Sequence, residues 1–88
     1  MQILSTPSFN KDVSKIKDRK IAVQIEQIIT KIQSAKSISE IGGIKKLSGS
    51  PNSYRIRIAE YRLGFTLTGD TVKLIIFAHR KDIYRYFP

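Results

Sequence analysis

Apolar side chains change their spacing halfway along this chain, and the change divides it into a helical half and a stranded half. Gln2 to Ser5 is a short, apolar opening strand. Thr6-Pro7-Ser8 then punctuates the chain: Thr6 suits a helix N-cap, and Pro7 suits the first helical position, where a missing N–H costs nothing. Phe9, Val13 and Ile16 follow at spacings of four and three, the stripe of a short helix with Lys11, Asp12, Lys15 and Lys17 outside it. A longer helix opens at Asp18 or Arg19, with Ile21, Ile25, Ile28, Ile29, Ile32 and Ala35 on its inner side. That stripe outweighs the modest helix propensity of isoleucine. Gly42-Gly43 breaks the chain after Ile41.

From Ile44 the period becomes two. Tyr54, Ile56 and Ile58 alternate with Arg55 and Arg57, a half-buried strand with both arginines on the opposite face. Tyr61, Leu63, Phe65 and Leu67 make a second strand, and Gly69-Asp70 a tight hairpin turn. Thr71 to Ala78 is nearly continuous apolar sequence and reads as a central strand, followed by a polar-aromatic tail from His79 to Pro88. The order β-α-α-β-β-β predicts one α+β domain over residues 1–88, an antiparallel sheet packed against an N-terminal helical hairpin.

Composition narrows the chemistry. With 41% hydrophobic and 26% charged residues in 88, the chain falls among ordinary globular domains with room for one modest core. Having no cysteine, it lacks disulfides, thiolate metal ligands and a cysteine nucleophile; its single histidine excludes two-histidine metal motifs. No metal or cofactor is therefore expected. The longest apolar run, Leu74 to Ala78, is far short of a bilayer span, and the N-terminus does not read as a signal peptide. A soluble cytoplasmic protein is the expectation.

Sixteen Lys and Arg against seven Asp and Glu leave a formal net charge of +9, which favours a polyanionic partner. Of six arginines, five follow residue 54, and so do three more tyrosines after Tyr54 itself. Guanidinium groups grip phosphates at two points and aromatic rings stack on bases, so this interleaving suits an RNA-contacting surface. Arg55 and Arg57 share a strand face about 7 Å apart, near the spacing of consecutive phosphates, and Arg62 joins that face across Ala59-Glu60. His79, Arg80 and Tyr84 stand just past the last strand, where a rigid scaffold aims side chains. A solvated strand face, a structural histidine and a tyrosine capping the core are the plain alternatives. No catalytic triad, paired carboxylates, Walker loop or dinucleotide fingerprint is present. An active site here would be built of arginine and tyrosine, with histidine a further member, a set fitted to charge gathering on phosphoryl oxygens without a metal.

Lys46-Leu47-Ser48-Gly49, then Tyr54-Arg55-Ile56-Arg57-Ile58-Ala59-Glu60-Tyr61-Arg62-Leu63, then Phe77-Ala78-His79-Arg80-Lys81-Asp82-Ile83-Tyr84 resemble the RelE/ParE superfamily of bacterial and archaeal toxins. Ser8-Phe9-Asn10-Lys11-Asp12 does as well. The resemblance to the RelE branch implies the toxin of a type II toxin–antitoxin system, a ribosome-dependent endoribonuclease that cuts mRNA in the ribosomal A site. The messenger's 2′-hydroxyl attacks the adjacent phosphodiester, leaving a cyclic phosphate and a 5′-hydroxyl. By position, Arg55, Arg57, Arg62, Arg80 and Tyr84 carry the catalytic roles, with His79 a further candidate, and Lys45, Lys46 and Arg85 contact RNA. Arginine, with a pKa above about 12, is a poor base, so His79, Glu60 and Tyr84 stay open for that task. The same fold implies two alternatives: a ParE-like inhibitor of DNA gyrase, and a non-catalytic RNA- or protein-binding module. The implied partners are an acidic antitoxin, the ribosome and mRNA, with no membrane. The antitoxin either displaces a mobile tail from Arg80 onward, carrying Tyr84, Tyr86 and Phe87, or masks Arg55, Arg57 and Arg62 beside a tail packed on the core.

Overall fold

The expected alternation of elements is present in a computed structural model that describes all 88 residues. In chain order these are β1 (Gln2–Ser5), α1 (Pro7–Ser14), α2 (Arg19–Ser34), a 3₁₀ turn (Ile38–Glu40), β2 (Ile44–Lys46), β3 (Ser53–Ile58), β4 (Tyr61–Thr68), β5 (Thr71–His79) and α3 (Ile83–Tyr86). The five strands form one sheet in the order β1-β5-β4-β3-β2.

Local chemistry sets the helix starts. The Thr6 hydroxyl oxygen accepts from the Phe9 N–H at 3.0 Å, and Pro7 takes the first helical position. The same hydroxyl donates to the Ile75 carbonyl at 3.2 Å, so the cap also fastens α1 to the sheet. Asp18 Oδ1 accepts from the Lys20 N–H at 2.9 Å and opens α2. Phe9, Ile21, Ile25 and Ile32 then pack against Ile56, Ile58, Leu63, Phe65, Val72, Leu74 and Phe77, all buried on one face of the sheet.

Three expectations need correction. A fifth strand, β2, pairs antiparallel with β3; at three residues it is too short to show an alternation. The sheet is not wholly antiparallel, because β1 pairs parallel with β5. Parallel neighbours need a crossover, and here α1, α2 and the other strands separate the two in sequence, so no turn signal reports their direction. The middle of the sheet is β4; β5 is interior but one place nearer the edge.

β1 covers β5 only as far as Leu74. Beyond it the Phe77 N–H donates to Asp12 Oδ2 of α1 at 3.1 Å, so a carboxylate occupies a sheet-edge position that would otherwise invite another strand. The opposite face of the sheet, turned away from α1 and α2, carries only the short α3. That face holds the arginines.

Candidate functional site

Alternation and register together assemble four cations. Lys45 on β2 lies directly opposite Arg55 on β3, and Arg57 on β3 directly opposite Arg62 on β4. Arg55 and Arg57 are two residues apart, so both cross-strand pairs share the face away from the core. Like charges directly opposite are destabilising, so a surface kept this way is suited to an anion rather than to folding.

At the β3–β4 turn two more contacts converge. Arg62 Nη1 donates to the Ala59 carbonyl at 3.1 Å and the Tyr61 carbonyl at 2.8 Å. Ala59 itself sits at φ +52°, a left-handed conformation unusual for alanine. Arg80 pairs with Glu60, Nε to Oε2 at 2.9 Å, while its backbone N–H donates to the Glu60 carbonyl at 2.8 Å. Arg62 and Arg80, far apart in sequence, are thereby anchored to one turn.

Tyr84 completes the group from α3. The Arg55 guanidinium stands over its ring, 4.7 Å from the centroid. The adjacent Arg55 guanidinium, helped by the positive charges of Lys45 and Arg62 and opposed by desolvation, holds the Tyr84 phenol below its ordinary value of 10.0. These three cations stabilise a phenolate, the form able to take a proton.

The remaining expected residues are placed elsewhere. His79 pairs with Tyr61, whose ring it meets edge-on at 5.7 Å on the helix-bearing side of the sheet. Its Nδ1 accepts from the Lys81 N–H at 3.1 Å. It is thus separated from the cation group by the sheet, because Phe77 and His79 alternate to the core side while Ala78 and Arg80 do not. Lys46 lies opposite Tyr54 and is turned to that same side, unlike Lys45. Glu60 is occupied by Arg80. Arg85 is exposed on α3. A tail carrying three exposed aromatics is also corrected: Tyr84 and Tyr86 are exposed, but Phe87 is buried at 6%.

Sequence reasoning names Phe87 only as a tail aromatic and does not find its seat, Gly64. A side chain on Gly64 would meet the Phe87 ring at 2.7 Å. A glycine inside a strand was the available signal, since it often marks close approach of another group.

No protein-family model matches the chain. Over 89 aligned residues it is 38% identical to Toxin RelE3 of Methanocaldococcus jannaschii, covering all of both chains. Its structure resembles the RelB–RelE antitoxin–toxin complex from Methanococcus jannaschii, with a TM-score of 0.83 and 38% identity over 97% of this chain and 99% of that one. It also resembles the YoeB dimer from Staphylococcus aureus in fold, with a TM-score of 0.75 and 24% identity over 91% and 97% of the two chains.

Proposed function

Because the chain belongs to the RelE family and is the toxin of a type II toxin–antitoxin system, we propose that it arrests translation by cutting mRNA in the ribosomal A site. The observation that carries this reading is a tyrosine with a lowered phenol pKa standing on a group of cations, on one open sheet face.

The messenger's 2′-oxygen attacks the neighbouring phosphorus, the 5′-oxygen of the next nucleotide leaves, and the products are a 2′,3′-cyclic phosphate and a 5′-hydroxyl. Negative charge gathers on the non-bridging oxygens in the transition state. Arg55, Arg57 and Arg62 lie where they stabilise it electrostatically, and Arg80 joins them by exchanging Glu60 for phosphate. Tyr84, as phenolate, accepts the 2′-hydroxyl proton, and the departing 5′-oxygen takes up a proton from water. Of the three candidates for the base, it alone stacks on a cation of the group; His79 is across the sheet and Glu60 lies at the β3–β4 turn. No metal ion is required by this scheme. Lys45 extends the surface that holds the RNA. The site of action is the cytoplasm, where ribosomes are, and the partner that silences it there is a cognate antitoxin with an acidic segment complementary to the +9 surface.

Primer extension on a translated message tests the reading. Breaks are expected within codons only when ribosomes are present, with cyclic phosphate on the upstream fragment. Intact messages accompanied by stalled gyrase–DNA complexes would overturn it in favour of a gyrase poison.

A further inference from the structure

Tyr84 is 69% exposed. The element that bears it, α3, is a single turn of four residues whose N-cap, Asp82, makes no side-chain capping bond. A helix that short has no stability of its own in water. Its apolar anchors are Ile83 and Phe87, buried at 1% and 6%. They are four residues apart, at the two ends of the turn, and joined by the Phe87 N–H to Ile83 carbonyl bond at 2.9 Å.

The seat for Phe87 is a missing side chain. A Cβ on Gly64 would lie 2.7 and 2.9 Å from two Phe87 ring atoms and 2.8 Å from Ile76 Cγ2, closer than real contacts allow. Gly64 is not among the glycines with positive φ, so a glycine is needed here for space and not for backbone freedom. In the β3–β4 register Gly64 is the direct partner of Arg55. The ring of Phe87 therefore rests beside the residue that Tyr84 contacts from three positions earlier in the chain.

We propose that Gly64 and Phe87 form a lock in which the phenyl ring, seated in the gap that glycine leaves and backed by Ile83, positions Tyr84 on Arg55. Both are positioning residues; neither touches the RNA. Their effect on cleavage rests on the reading of Tyr84 as proton acceptor, whereas the seating of Tyr84 does not.

The test follows the titration of Tyr84 by NMR in protein labelled on the tyrosine ring, and in parallel the rate of mRNA cleavage on ribosomes. In Phe87→Ala and in Gly64→Ala the Tyr84 midpoint is expected to rise back toward 10, and in Phe87→Leu to stay near the unsubstituted value. The rings of Tyr54 and Tyr61, stacked on Phe65 and Phe77, should keep their chemical shifts throughout. Cleavage by Phe87→Ala should fall about tenfold to a hundredfold, the usual consequence of a displaced catalytic group. The same change added to Tyr84→Phe should cost nothing further. An unmoved Tyr84 midpoint, a shift shared by Tyr54 and Tyr61, or an additive loss in the Tyr84→Phe background would each overturn the lock. If Phe87→Ala does not fold, Gly64→Ala and Phe87→Leu decide the question by the same midpoint. Absence of cleavage by the unsubstituted protein would defeat the nuclease reading alone, since the titration still reports on the seating.

Discussion

Removing single cations should separate rate from folding. Arg62→Ala and Arg80→Ala are each expected to lower mRNA cleavage by about 10²–10³-fold, the usual loss when one preorganised charge is taken from a phosphoryl transition state. Circular dichroism should show the fold intact, because neither residue belongs to the core. Growth arrest unchanged by both substitutions would exclude their catalytic role. The pH dependence follows from Tyr84. Its phenol is an acid whose pKa is lowered in the folded protein, so the phenolate fraction rises with pH along a limb lying below 10. The linked stability is fully present above the unfolded value near 10 and is lost as pH falls through the folded value. Arg55→Met removes the largest cause, and the rising limb of the pH–rate profile should move to higher pH.

Elements differ in how much strain they carry. The β3–β4 connection places Ala59 at φ +52°, where a Cβ crowds the following carbonyl. Ala59→Gly should stabilise the protein by about 0.5–1 kcal/mol after the entropic penalty of glycine is subtracted, read as a higher urea midpoint at unchanged slope. A lower midpoint would show that the turn conformation is not strained. At the other end of the molecule, Thr6→Ala removes the α1 cap and its bond to Ile75 together, and should cost about 1–2 kcal/mol.

Across the whole molecule, a charge of +9 concentrated in part on one sheet face makes binding salt-sensitive. If Lys45, Arg55, Arg57 and Arg62 each neutralise one phosphate, the logarithm of RNA affinity should fall against the logarithm of salt with a slope of about −3. Arg57→Ala should make that slope shallower by roughly one without changing sequence preference. A slope near zero would place RNA elsewhere. Antitoxin association should slow with salt for the same electrostatic reason.

The apolar spacing by itself determined the two helices, their starts at Thr6-Pro7 and Asp18, and the three long strands, because these depend on interactions within a few residues. Alternation likewise put Arg55 and Arg57 on one polar face, and the motifs around them carried the family. What the tertiary structure decided are relations between distant segments. The parallel pairing of β1 with β5, the short β2 and the middle place of β4 arise from which edges meet after the helices cross over. His79 and Arg80 are adjacent in sequence, yet a strand turns neighbours to opposite faces, so only Arg80 reaches the β3–β4 turn on the site's side. Lys45 and Lys46 divide in the same way once β2 takes its register. The Gly64–Phe87 contact joins a sheet face to a residue beyond the last helix, and no local pattern encodes it: a phenyl ring fills that gap only because the chain after β5 folds back over the sheet.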